Sequence, residues 1–121
     1  MKSILLADDE ESLRILVHAT LEDPDYAIFE ACDGDEALAV AREQAPDLIV
    51  LDWMMPGKTG VEVTALLRQD QATRHTPIIL LTAKSQQEDI AIAFGAGVTS
   101  YLVKPFSPGD LLGKVQELLG T

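Results

Sequence analysis

Five short runs of the chain are almost purely apolar, and each is followed by a stretch in which apolar residues recur at helical spacing. The runs are Ser3 to Ala7, Ala27 to Cys32, Leu48 to Leu51, Pro77 to Leu81 and Ser100 to Val103. Their length and content predict buried strands. The first, third and fourth are nearly all aliphatic, which suits parallel strands covered on both faces rather than a half-wetted antiparallel sheet. Between them stand Leu13, Leu16, Val17 and Leu21, then Ala37, Leu38 and Ala41, then Val63, Leu66 and Leu67. Ile90, Ala93 and Phe94 continue the series, and Leu111, Leu112, Val115, Leu118 and Leu119 close it. A period near 3.6 predicts helices with one buried stripe. Strict alternation of strand and helix predicts right-handed crossovers and an α/β fold, a doubly wound parallel sheet of five strands with five helices on both faces.

Composition agrees with one such unit. With 47% hydrophobic and 24% charged residues over 121 positions, the chain can build a core without a metal or disulfide. There is no repeat, low-complexity tract or linker, so one domain is expected over residues 1–121. Cys32 is the single cysteine, which forbids an internal disulfide and points to a reducing cytoplasm. No apolar run reaches the eighteen or so residues of a membrane helix, and the acidic residues from Asp8 onward cut short any signal peptide. A formal net charge of -11, with the nine basic residues scattered singly, argues against direct binding of nucleic acid.

In open α/β sheets the ligand site lies outside the carboxyl ends of the strands. Just past those ends stand Asp8 and Asp9, then Asp52, Thr82 and Lys104 followed by Pro105. Three carboxylates meeting at one edge repel one another unless a cation sits between them. Oxygen donors without His or Cys point to Mg²⁺ rather than zinc or copper. Lys104 adds a compact positive charge and Thr82 a hydroxyl. A carboxylate nucleophile, two cations and a hydroxyl are the parts that phosphoryl transfer requires. Each residue has a plainer reading when taken singly. Asp8 and Asp9 could cap the first helix, Asp52 could be a loop acid, Thr82-Ala83 could start a helix and Lys104-Pro105 could be a turn. Their conjunction at one edge favours the site.

These residues resemble the receiver domain of two-component response regulators along the whole chain: Asp8-Asp9-Glu10, Asp52-Trp53-Met54-Met55-Pro56 with Gly60, Thr82-Ala83 and Lys104-Pro105-Phe106. The resemblance implies the flavodoxin-like strand order 2-1-3-4-5. It makes Asp52 the phosphoacceptor, with Asp9, Asp52 and the Met54 carbonyl as metal ligands and Asp8 acting mostly through water. Thr82 and Tyr101 become the switch pair, Lys104 the bridge to a phosphoryl oxygen, and Lys104-Pro105 a cis peptide. The implied cofactor is Mg²⁺, with Mn²⁺ as a possible substitute. The implied partners are a sensor histidine kinase or phosphotransfer protein, an unidentified downstream target reached through the fourth helix, fifth strand and fifth helix, and a phosphorylation-dependent dimer. Such a protein catalyses its own phosphorylation and dephosphorylation but is not a turnover enzyme. The chain could be a stand-alone receiver or one module of a longer regulator.

Other classes fit less well. An aspartate-nucleophile phosphohydrolase of the haloacid-dehalogenase kind resembles its relatives in a second Asp two places past the nucleophile, where this chain has Met54. A flavin carrier of the same topology would meet repulsion from Asp8-Asp9-Glu10-Glu11. A scaffold that needs no phosphorylation stays open. Trp53 is expected over the rim of the site, where it could report metal binding. The resemblance to receiver domains further implies that Met54 and Lys84, two places beyond Asp52 and Thr82, tune access of the attacking water to the phosphoryl group. His18 and His75 are expected to be structural or solvated, and Gly95 and Gly97 to cap and turn the end of the fourth helix.

Overall fold

The computed structural model describes residues 1–120, so Thr121, the end of the expected 1–121 unit, lies outside the described residues. Strands and helices alternate throughout: β1 (Lys2–Ala7), α1 (Glu11–Leu21), β2 (Tyr26–Ala31), α2 (Gly34–Gln44), β3 (Leu48–Asp52), α3 (Gly60–Gln69), β4 (Ile78–Thr82), α4 (Gln87–Ala96), β5 (Ser100–Val103) and α5 (Pro108–Leu119). The five strands pair in parallel in the order β2-β1-β3-β4-β5. The expected strands are all present, four of them with ends moved by one residue. Asp52 and Thr82 are the last residues of β3 and β4 rather than the first of the loops, and Cys32 lies just past β2.

Every residue of β3 and β4 is buried, as parallel strands covered on both faces must be. Their alternate side chains feed two cores. Leu5, Ile49, Leu51, Ile78 and Leu80 face α2, α3 and α4 through Ala37, Leu38, Ala41, Val63, Leu67 and Ala93. Ile4, Leu6, Leu48, Val50, Ile79 and Leu81 face α1 and α5 through Val17, Leu21, Leu111 and Val115. Truncating one such leucine to alanine costs about 2–5 kcal/mol.

The helical stripes are narrower than the spacing suggests. Leu16 on α1 is 52% exposed and Phe94 on α4 is 47% exposed, so neither belongs to the core. Leu16 instead lines a cleft with Leu13, Pro105 and Phe106 beside the site. Gly95 lies inside α4; only Gly97 caps it, at a φ of 111°. Gly60 has a stricter reason to be glycine. A Cβ there would stand 2.4 Å from the Asp52 carbonyl oxygen, so α3 could not start against the end of β3.

Helix starts also shape the site. α3 and α5 begin with capping boxes, Thr59 with Glu62 and Ser107 with Asp110, and Asp33 caps α2. α1 has no side-chain cap. Asp8 and Asp9 therefore do not cap it with a side chain: Asp8 Oδ1 accepts the Glu10 N–H at 2.9 Å, a local turn, and its other oxygen has no hydrogen-bond partner among the described residues.

Candidate functional site

The parallel ladder continues one step past the strands and pins each site residue where it leaves the sheet. Asp8 N–H donates to the Ala31 carbonyl at 3.1 Å, Trp53 N–H to Leu81 at 2.9 Å, and Lys104 N–H to Thr82 at 2.8 Å. Three distant loops thereby open at one edge. Carboxylate oxygens of Asp8, Asp9 and Asp52 all come within 4.8 Å of one another, two of these residues buried and Asp9 exposed. Lys104 reaches in from the far side and donates to Asp52 Oδ1 at 2.7 Å, across a peptide bond to Pro105 that is cis.

The electrostatics leave a space for a cation. Asp8 is 1% exposed, and among the described residues its Oδ2 has no hydrogen-bond partner. Burial pushes its carboxyl up to about 6, and the neighbouring Asp52 and Asp9 charges add to the rise. Burial also raises Asp52, against the opposing pull of Lys104. An oxygen-only donor set with an orphaned, desolvated carboxylate oxygen fits a hard divalent ion, for which one or two carboxylates are the usual protein share.

Thr82 closes β4 beside this group, 2% exposed, and its Oγ1 accepts the Lys84 N–H at 3.0 Å. Among the described residues, the Tyr101 hydroxyl makes no hydrogen bond to Asp8, Asp9 or Asp52. It donates to the Lys84 carbonyl, and burial raises its pKa. Thr82 and Tyr101 therefore hold the two faces of one residue, the Lys84 peptide pair. Met54 follows β3 with its side chain 60% exposed.

Trp53 corrects the expectation of a rim residue. It is 7% exposed and belongs to the core, edge-on to Tyr101 at 6.4 Å and 88°, with the Lys84 ammonium 5.4 Å from its ring centre. Its neighbour Asp52 points to the site, so strand alternation turns Trp53 to the opposite side. His18 is engaged, its Nδ1 meeting Glu30 Oε2 on β2. Sequence reasoning passed over Arg14, whose Nη1 donates to the Asp8 carbonyl at 2.8 Å. Nothing in one sequence marks that reach, since it depends on how α1 lies across β1 and β2.

A five-stranded 2-1-3-4-5 sheet with an acidic pocket and a lysine at its carboxyl edge defines a receiver-type α/β protein. A family model of the response regulator receiver domain matches residues 4–116, and the chain belongs to that family. It is 47% identical over 116 residues to the transcriptional regulatory protein ResD of Bacillus subtilis (strain 168), covering 96% of this chain and 47% of that protein. The chain spans about half the length of the curated relatives it matches. Among solved structures it is similar to the chemotaxis protein CheY4 of Vibrio cholerae, with a TM-score of 0.91, 39% identity, and coverage of 98% of this chain and 99% of that one. It is also similar to the receiver domain of a sensor histidine kinase of Pseudomonas aeruginosa, with a TM-score of 0.90, 32% identity, and coverage of 99% and 98%. That structure has a magnesium ion coordinated in its active site cleft. Among the described residues, no helix is long and apolar enough to cross a membrane.

Proposed function

We propose that this receiver accepts a phosphoryl group on Asp52 from the phosphohistidine of a sensor kinase or phosphotransfer protein, and passes the change to its α4-β5-α5 face. One observation carries the reading: Lys104 holds Asp52 Oδ1 at 2.7 Å while oxygens of Asp8, Asp9 and Asp52 gather within 4.8 Å. Lys104 fixes one carboxylate oxygen and leaves the second free to attack phosphorus. The O–P bond forms as the N–P bond of the donor breaks, and the electron pair returns to the imidazole nitrogen. Lys104 then pairs with a phosphoryl oxygen, so the positive charge that steadied the carboxylate also steadies the product.

Asp9, Asp52 and the Met54 carbonyl would hold Mg²⁺, or Mn²⁺ in its place, with Asp8 acting mostly through water. When bound, such an ion supplies charge neutralisation for the crowded oxygens and for the incoming phosphoryl group. Exposed Met54 and half-buried Lys84 flank the approach of water and would tune the lifetime of the phosphorylated state.

The hydroxyl hydrogen of Thr82 is available to a phosphoryl oxygen on Asp52. Turning it there disturbs the Lys84 N–H bond, and Tyr101 is bonded to the same residue's carbonyl. The change thus reaches an aromatic ring packed between Trp53 and Phe94. Ile92, Phe94 and Val103 give this side of the molecule exposed apolar surface for a target or a second copy.

Mg²⁺ with a small phosphodonor, or with beryllium fluoride, should change Trp53 fluorescence, and Asp52→Asn should abolish the phosphodonor response together with incorporation of base-labile phosphate. A wild-type protein that binds Mg²⁺ by calorimetry yet takes up no phosphate would overturn the reading.

A further inference from the structure

We propose that Arg14 is a positioning residue for the acidic pocket, holding the Asp8–Asp9 peptide in the orientation that lets both carboxylates share a divalent cation. The inference rests on the phosphoryl-acceptor reading above. Arg14 lies in the first turns of α1, where its own N–H makes a 3.0 Å helical bond to the Glu10 carbonyl. Its guanidinium turns back toward the sheet. Nη1 donates to the Asp8 carbonyl at 2.8 Å, and Nε donates to Glu30 Oε1 on β2 at 2.9 Å. Glu30 Oε2 is in turn bonded to His18, one turn further along α1.

The planar guanidinium is what makes this more than a surface ion pair. Its donors are fixed relative to one another in one plane, so once Glu30 has set the Nε direction, the two Nη1 hydrogens have set directions as well, and the Asp8 carbonyl accepts from Nη1. That carbonyl belongs to the peptide joining Asp8 to Asp9. Its orientation fixes ψ of Asp8 and φ of Asp9, and with them where each side chain leaves the backbone. Other bonds restrain only the Asp8 side of the peptide: Asp8 N–H is held by Ala31, and Asp8 Oδ1 holds Glu10. Among the described residues, no other hydrogen bond reaches the Asp8 carbonyl, and none reaches the Asp9 carboxylate. α1 lacks a side-chain cap, so the chain entering it has no other clamp of this kind. The carbonyl of the Asp8–Asp9 peptide, which the bond from Asp8 N–H to Ala31 leaves unrestrained, is therefore tied to β2 through Arg14, 18% exposed at its side chain.

Charge and position make opposite forecasts, which gives the test its edge. Arg14 is a cation near a cation site, so by Coulomb's law alone its removal should tighten Mg²⁺ binding. If it positions Asp8 and Asp9, removal should weaken binding, as loss of an outer partner of a metal site does. The experiment is calorimetric titration of magnesium chloride into the full chain at neutral pH, for the wild type, Arg14→Met and Arg14→Lys. Methionine keeps much of the apolar stem, and lysine keeps the charge without the fork. The expected result is an Mg²⁺ dissociation constant about tenfold higher for Arg14→Met, with Arg14→Lys between it and the wild type. Equal or tighter binding by Arg14→Met overturns the inference. Should Arg14→Met not fold, Arg14→Lys decides alone: weaker binding at unchanged charge upholds positioning, and unchanged binding refutes it. Phosphate uptake by the wild type is measured alongside, so failure of the acceptor reading shows in the wild type and failure of the Arg14 inference only in the variants.

Discussion

The two edges of the sheet solve opposite problems with the same kinds of residue. At the amino edge, Arg68 near the end of α3 is a half-buried cation that makes no salt bridge among the described residues, yet four hydrogen bonds engage its guanidinium. It donates to the carbonyls of Gly97 at 2.9 Å, Thr73 at 3.0 Å and Thr76 at 2.7 Å, and to Thr99 Oγ1 at 3.4 Å. Thr99 Oγ1 also accepts the Ile78 N–H at 2.9 Å, so the arginine ties α3, α4 and the starts of β4 and β5 together. At the carboxyl edge, Asp8 is more deeply buried, and one of its oxygens has no hydrogen-bond partner among the described residues. A buried group left unmatched is a local sacrifice of stability, and functional sites are where such sacrifices collect. One edge is built to stay as it is; the other is built to be completed from outside.

The largest break in that contrast should come from Arg68→Ala. The substitution strands several carbonyls that have already lost their water, and hydrogen bonds to a charged donor are worth more than neutral ones. A loss of about 3–4 kcal/mol is expected, read as a lower urea midpoint at unchanged slope, with Mg²⁺ affinity of the folded protein unaltered. A loss under about 1 kcal/mol would show that the carbonyl cage is incidental.

Acid should act on the other edge with nearly the same size and the opposite sign to the usual carboxylate. The Asp8 carboxyl is raised to about 6 in the fold from an ordinary 3.8, so the folded state binds the proton more tightly than the unfolded one. Stability from this group is complete below the unfolded value and is lost as pH climbs through about 6. The shift corresponds to on the order of 3 kcal/mol. Urea unfolding without divalent ions, from pH 4 to pH 7, checks it as the difference between wild type and Asp8→Asn. The wild type should lose ground to the variant as pH rises. Saturating Mg²⁺ at pH 7 should then stabilise the wild type and much less the variant. A flat difference across this range would remove Asp8 from the strained edge.

How much of this contrast could be read from the chain follows from what each feature depends on. Strand composition and alternation with helices are local, and so is the tendency of loops to gather at one edge; Asp8, Asp9, Asp52, Thr82 and Lys104 were therefore legible as a set. Burial at helix margins is not local. Leu16 and Phe94 keep the right spacing but stay about half exposed, one at the cleft beside Phe106 and the other against Tyr101 of β5. Nearness to Asp52 suggests the rim for Trp53, but alternation along the chain places it on the core side with Ile49 and Leu51. Arg14 and Arg68 carry no motif, because a long side chain finds its acceptors only after the helices are laid on the sheet. Both edges owe their character to such arginines, and neither could be assigned from sequence spacing.

The finest test pairs two substitutions of similar small cost. Asp47→Ala at the amino edge removes Oδ2, which accepts the Ser3 N–H at 2.8 Å and hydroxyl at 3.3 Å at the surface. Thr82→Val at the carboxyl edge keeps the shape of a buried residue but loses the acceptor for the Lys84 N–H. Each should cost about 1 kcal/mol, the common worth of one hydrogen bond. Their consequences should nevertheless differ. Asp47→Ala should leave the movement of the Tyr101 ring signals on adding Mg²⁺ and beryllium fluoride as in the wild type. Thr82→Val should bind Mg²⁺ normally and lose that movement, because the hydroxyl that would draw the Lys84 turn toward Asp52 is gone. If Tyr101 still responds in Thr82→Val, the ring is coupled by packing against Trp53 rather than through the turn, and the carboxyl edge is less finely divided than its hydrogen bonds suggest.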